Sequence, residues 1–352
     1  MRPRDASGDS AAPIEPARLA AYLASVPALR DSLPVDEIER IGGGQSNLTF
    51  RVSLADRTVV LRRPPLGPLP PSAHDVLREF RVMQALAGSE VPVPALIAAC
   101  SDPSILGAPF FLMEDLPADA IRGELPSALD TRAGRRAIGE QVVDTLAALH
   151  GTEPAAVGLA DLGKSAGYLA RQLRRWRGQL DYARVRPVPD LDWVSDWLDC
   201  TLPGDVERPS IVHGDYKLDN SLFSRELPVR LLAVVDWEMA TLGDPLADLG
   251  WLLAFWSEGG TPPPSLAILS RVTEQSGFLT RAQLAERYSE RVGRSLPDLR
   301  FYHVLALWKM AVLLEGHWAR HVRGTAGTFD FNYLKDGGPL LQSYVRQVAE
   351  ER

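Results

Sequence analysis

The sequence predicts an α+β chain of two lobes: a small β-rich N-terminal lobe with one helix, and a larger, mainly helical C-terminal lobe. Three observations predict it. Between residues 35 and 62, short runs of strand-forming residues are punctuated by glycines and by Ala55-Asp56, the pattern of neighbouring strands. From residue 132 onward, apolar residues recur at intervals of three and four, which is helical spacing. With 352 residues, 45% of them hydrophobic, the chain is long enough to bury two real cores. The expected division is a disordered tail over 1–14, a small lobe over 15–115 and a large lobe over 116–352.

In chain order, Glu15 to Val26 reads as a helix, and Val35 to Ile41 as a strand leading into Gly42-Gly43-Gly44-Gln45-Ser46-Asn47. Further strands follow over Leu48 to Leu54 and Arg57 to Arg62. Glycines between strands permit positive φ and let backbone N–H groups approach phosphate oxygens closely. A glycine run alone marks many hairpins. Here it gains weight from its place in the order strand, glycine loop, strand, strand, basic residue, helix with Glu. Gly43, Gly44, Ser46 and Asn47 are therefore candidate nucleotide contacts. The basic residue is Arg62 or Arg63; Arg63 reads as a solvated strand end, which leaves Arg62. Glu79, within Val76-Leu77-Arg78-Glu79-Phe80, is the helix carboxylate that would orient it. Ser72 and Asp75 suit the N-cap of that helix, and His74 reads as a surface residue.

Phe110 to Leu116 reads as a buried strand that turns polar. Met113, Glu114 and Leu116 are the candidates to meet an adenine edge, a core strand being the alternative reading. Arg132 to His150 is a long amphipathic helix with Ile138, Val142, Leu146 and Leu149 on one face. Arg171, Arg174, Arg175 and Arg177 surround Trp176 and read first as a solvated helix face, second as a basic rim for a phosphate-bearing substrate. The helix Phe301 to Val322 carries Trp308, Lys309, Glu315, His317 and Arg320, with core on one face and pocket or lid on the other.

The chemistry concentrates in Ile211-Val212-His213-Gly214-Asp215-Tyr216-Lys217-Leu218-Asp219-Asn220, followed sixteen residues later by Asp236 at the end of an apolar run. This is the spacing of a phosphoryl-transfer site in a kinase-like fold. Such chemistry asks little covalent work of the protein: one carboxylate to take the proton of the attacking hydroxyl, and oxygen ligands for magnesium. Asp215 suits the first task, Asn220 and Asp236 the second. Lys217 stands two residues after Asp215, within reach of a transferring phosphate. It is one of only four lysines among 38 basic residues, so a compact point charge at this position suits a specific task.

Gly243-Asp244-Pro245-Leu246-Ala247-Asp248-Leu249-Gly250-Trp251 follows closely. With these residues the chain resembles the aminoglycoside phosphotransferase and choline kinase superfamily, which has a protein-kinase-like fold. Leu61-Arg62-Arg63-Pro64-Pro65, Ser72-Ala73-His74 and Trp308-Lys309-Met310-Ala311 make it similar to the branch that includes the kinase domain attached to acyl-CoA dehydrogenases. The resemblance spans about residues 35 to 320. It implies Asp215 as catalytic base, Asn220 and Asp236 as magnesium ligands, and ATP with Mg2+ as cofactors. It implies too that Asp248 braces the catalytic loop and that His213 supports it. Arg62 fits the branch but departs from the lysine of the wider superfamily.

A net charge of −7 without any Lys/Arg block excludes nucleic acid as partner. The two cysteines, Cys100 and Cys200, have neither metal nor redox spacing. No apolar run approaches the length that spans a bilayer, and the N-terminus lacks a signal-peptide core, so the expected location is cytoplasmic. The expected partner is a small molecule bearing a hydroxyl. Two function classes follow: an ATP-dependent small-molecule kinase, with a hydroxyacyl-CoA-like acceptor preferred over an aminoglycoside or other antibiotic, and a nucleotide-binding pseudokinase with a regulatory role. A protein kinase is disfavoured because the gap from Asp236 to Asp248 is too short for a regulated loop.

Overall fold

Alternation along the strands organises the N-terminal part. The structure, a computed structural model, describes residues 14–42, 47–67, 75–262, 270–325 and 331–351. Its contacts divide the chain into two units, the first made of Met1–Gly88, Pro92–Pro117 and Val235–Glu238. This unit holds α1 (Pro16–Leu23), β1 (Val35–Ile41), β2 (Leu48–Leu54), β3 (Thr58–Arg63), α2 (Val76–Leu86), β4 (Leu96–Cys100), α3 (Pro103–Leu106) and β5 (Phe110–Glu114). The five strands form one antiparallel sheet in the order β1-β2-β3-β5-β4.

Leu48, Phe50, Val52 and Leu54 alternate inward along β2, as a strand with one buried face requires. They join Leu19 and Leu23 of α1 and Leu61, Phe110 and Leu112 in one apolar cluster. Burying a residue such as Phe110, which has no exposed surface, contributes about 1.5–3 kcal/mol. The same alternation turns Arg62 and Arg63 to opposite faces of β3. Arg63 is only 1% exposed, its guanidinium lying 5.5 Å from the centre of the Phe50 ring, which corrects the expectation of a solvated strand end. The strand continues one residue further than its sequence suggests and carries Arg63 into the core. Asp75 caps α2 by accepting from Arg78 N at 3.0 Å. The other cap candidate, Ser72, lies outside the described residues, as do Gly43, Gly44, Ser46 and His74.

The second unit comprises Ser89–Val91, Ala118–Val234 and Met239–Arg352. Its elements are β6 (Ala118–Ala120), α4 (Arg132–Gly151), α5 (Tyr168–Ala183), α6 (Pro189–Cys200), β7 (Ser210–Val212), β8 (Ser221–Ser224), β9 (Leu231–Val234), β10 (Thr241–Gly243), α7 (Leu246–Phe255), α8 (Arg281–Val292), α9 (Arg300–Val322) and α10 (Leu334–Glu350). The short strands pair as β10-β7 and β6-β8-β9, and they frame the segment that bears Asp215 and Asn220. Helix α9 packs on α5, α6, α7 and α10. Because neighbours surround it, its Glu315 is buried, held by Arg186 at 2.5 Å and by Gln342 at 2.9 Å. Among the described residues, no helix is long and apolar enough to cross a membrane.

Candidate active site

In the second unit, the segment between β7 and β8 is built around Asp248 and Asp215. Asp248, buried in the first turn of α7, accepts from two consecutive backbone amides, His213 N at 2.6 Å and Gly214 N at 2.8 Å. His150 of α4 adds a ring nitrogen 3.4 Å from the same carboxylate and meets Tyr288 at 2.7 Å through its other nitrogen. This pins the loop from beneath. Gly214 has φ 87°, and a Cβ there would lie 2.8 Å from Met239 Cβ and 2.9 Å from its carbonyl oxygen. Only glycine meets both demands.

The Asp215 carboxylate is surrounded by donors. Lys217 Nζ reaches both oxygens at 2.8 Å, Asn220 Nδ2 reaches Oδ2 at 2.9 Å, and the Trp251 indole donates to Oδ1 at 2.8 Å. Asp215 N in turn donates to His213 Nδ1 at 3.2 Å. Burial pushes the Asp215 carboxyl up, but Lys217, His213 and Trp251 outweigh it and hold the group below its usual value. The arrangement presents an ionised carboxylate beside an ammonium, the pair a hydroxyl nucleophile and a phosphoryl group require. Asn220 also donates to Asp215 O at 2.8 Å, which turns its amide oxygen away from the carboxylate.

In the first unit, Arg62 is the centre. Its Nε donates to Glu79 Oε2 at 2.9 Å, its Nη2 to Asp236 Oδ1 at 2.5 Å and its Nη1 to Thr49 Oγ1 at 3.3 Å. Burial alone would lower the Arg62 pKa, yet Glu79, Asp236 and Glu238 raise it. Glu79 is 1% exposed, and burial lifts its carboxyl to about 7 despite Arg62. Asn47 Nδ2 donates to Glu238 at 3.2 Å and lies 3.5 Å from Glu79. Asp236 has φ 70°, a left-handed conformation that costs a non-glycine residue about 1–2 kcal/mol and clusters at functional positions.

Asn47, Arg62, Glu79 and Asp236 are thus brought together in one unit, and His213, Asp215, Lys217, Asn220 and Asp248 in the other. Met113 and Glu114 end β5, where Glu114 N donates to Ala95 O at 2.9 Å and its side chain accepts from Ala95 N at 2.7 Å. The Glu114 N–H is therefore already engaged. Leu116 follows the strand and is half-buried. The sequence reading gave Trp251 no role and did not pair Arg62 with Asp236. Trp251 stands three residues after Asp248 on α7, so one helical turn aligns both with the loop, a spacing that was visible.

For magnesium, the donors present are suitable in kind: a carboxylate and an amide carbonyl are the hard oxygens this ion prefers. With Asp236 Oδ1 given to Arg62, the second carboxylate oxygen remains to serve a metal. Among the described residues, no cluster of three or more His, Cys, Asp or Glu side chains forms a metal site.

The profile described as "Phosphotransferase enzyme family" matches residues 37–301. Acyl-CoA dehydrogenase family member 10 of Mus musculus is 36% identical over 299 residues, covering 83% of this chain. The chain spans only 27% of that relative's length. A solved structure from Ralstonia eutropha JMP134, named "putative aminoglycoside phosphotransferase", superposes with a TM-score of 0.80 at 31% identity, covering 96% of this chain and 99% of its own. Spectinomycin phosphotransferase, solved in complex with ADP and spectinomycin, has a TM-score of 0.59 over 96% of this chain and 98% of its own, and at 11% identity shares the fold alone. The α+β architecture is accordingly the protein-kinase-like fold of the aminoglycoside phosphotransferases. The chain belongs to the phosphotransferase enzyme family.

Proposed function

We propose that this protein is an ATP-dependent small-molecule kinase that moves the γ-phosphate onto a substrate hydroxyl. The observation that carries the reading is the Asp215 carboxylate, kept ionised and aimed by Lys217, Asn220 and Trp251. A module that only binds nucleotide has no use for such a base. In this reading Asp215 accepts the hydroxyl proton and Lys217 attends the transferring phosphoryl group. Arg62, oriented by Glu79, contacts the nucleotide phosphates, as do Gly43, Gly44, Ser46 and Asn47. Met113, Glu114 and Leu116 serve the adenine edge, with the Glu114 carbonyl and the neighbouring backbone as the groups left for it. Asn220 and Asp236 each offer an oxygen to magnesium, which when bound neutralises charge on the phosphates. Asp248 and His213 hold the loop.

ADP in the spectinomycin phosphotransferase structure supports a nucleotide cofactor. Similarity to part of acyl-CoA dehydrogenase family member 10 is the ground for preferring a hydroxyacyl-CoA-like acceptor, and similarity to the Ralstonia eutropha structure keeps an aminoglycoside as the alternative. A second reading, a regulatory pseudokinase, is favoured by one contact: Arg62 already occupies an oxygen of Asp236. The test is incubation with Mg-ATP and a panel of hydroxyacyl-CoAs, aminoglycosides, macrolides and short amino alcohols, read by mass spectrometry. A product heavier by one phosphoryl group is expected; nucleotide binding with no product from any acceptor class would favour the pseudokinase.

A further inference from the structure

One cation near Asp215 makes no ion pair among the described residues, and Asp248 and Asp215 favour its charge only through space. Lys309, on α9, rests its ammonium 4.5 Å from the centre of the Trp251 ring and 5.4 Å from that of Trp176, with no ion pair or hydrogen bond among the described residues. Cation–π contact with two indoles replaces only part of the hydration that this half-buried ammonium gives up. Trp176, on α5, is 7% exposed, and its indole N–H is a buried donor without an acceptor among the described residues. The ring that carries this donor is one of the two beside the Lys309 ammonium.

The ammonium also stands beside the catalytic loop. Trp251, under Lys309, is the residue whose indole donates to Asp215. Lys217 lies 5.0 Å from the centre of the Phe255 ring, one helical turn further along α7. Asp215, Lys217, Phe255 and Lys309 all keep partial exposure, so a ligand can reach them. Arg175, exposed on α5, adds positive field. Burial lowers the Lys309 ammonium to about 8, so it still carries charge near neutral pH.

Resting on the kinase reading above, we infer that the acceptor alcohol carries an oxyanion, a carboxylate or a phosphate ester, which docks on Lys309 Nζ while its hydroxyl meets Asp215. The hydrogen bonds an oxyanion accepts from an ammonium are charge-assisted and about twice as strong as neutral ones. Trp251 then serves two ends of one substrate, as the floor beneath the ammonium and as a donor to the base.

The test is equilibrium binding followed by tryptophan fluorescence. The probes are 3-hydroxybutyrate against its methyl ester, and glycerol 3-phosphate against glycerol, with wild type, Lys309→Met and Lys309→Arg. At least one anion is expected to bind about 10-fold or more tighter than its neutral counterpart. Lys309→Met should abolish that preference and Lys309→Arg largely keep it. The pair that discriminates tells carboxylate from phosphate. Equal binding of anions and neutral partners by wild type, or an undiminished preference in Lys309→Met, overturns the inference. AMP-PNP binding, measured separately by calorimetry, tests the kinase reading: its loss defeats that reading, whereas its presence with no anion preference defeats only this one.

Discussion

Trp251 donates its indole N–H to Asp215 Oδ1 at 2.8 Å, so a residue of α7 fixes the orientation of a carboxylate on the segment between β7 and β8. The contact favours the ionised form and helps hold the Asp215 carboxyl low. Trp251→Phe keeps an aromatic side chain and removes the donor. The Asp215 pKa should then rise, moving the acid limb of the pH–rate profile upward. Turnover at neutral pH should fall by about 10- to 150-fold at most, since one hydrogen bond to a charged group nets about 1.5–3 kcal/mol. An unchanged acid limb would leave Trp251 as packing alone.

Arg62 holds Glu79 and Asp236 together. Arg62→Met should cost about 3–5 kcal/mol in chemical unfolding, because the buried Glu79 carboxylate loses its partner. The pH dependence has a definite sign. Glu79 titrates in the folded protein at about 7, above its ordinary value. Its contribution to stability is therefore full at acid pH, below the unfolded carboxylate range, and is lost as pH rises through about 7. Without Arg62 the carboxyl rises further, so the variant's stability should fall more steeply than wild type between pH 5 and pH 8. Parallel curves would contradict a coupled pair.

Asp236 adopts φ 70°, and asparagine tolerates that conformation better than most residues. Asp236→Asn therefore removes charge with little backbone penalty. The magnesium concentration for half-maximal activity should rise by about 10-fold or more. An unchanged magnesium titration would remove Asp236 from the metal.

Gly214→Ala places a methyl group against Met239 at a left-handed backbone position. The expected loss is about 2–4 kcal/mol, summing conformational and overpacking costs. Thermal unfolding checks it. A melting temperature equal to wild type would show that the loop yields without cost.

Much of the fold was legible in the sequence. Val35–Ile41 and Leu48–Leu54 are strands with the expected bounds, and the helix expected to end at His150 runs one residue further. Period and punctuation are local, so they survive into the structure. What the sequence could not convey depends on packing. Arg62 and Arg63 are neighbours with one composition and opposite surroundings, and only pairing with β2 and β5 tells which meets Glu79 and which meets Phe50. Trp251 and Lys309 stood in plain sight, but their common dependence on the space beside Asp215 required the approach of α5, α7 and α9. The glycine loop calls for a separate accounting, because Gly43, Gly44 and Ser46 lie outside the described residues.

Phosphoryl transfer by the Asp215→Asn variant tests the central claim most directly, measured beside wild type with Mg-ATP and the best acceptor from the panel. The variant keeps the shape of the side chain and removes the base. Turnover should drop by about 10² or more, with ATP affinity nearly unchanged. A variant that transfers phosphate at the wild-type rate would contradict the assignment of Asp215 as the base.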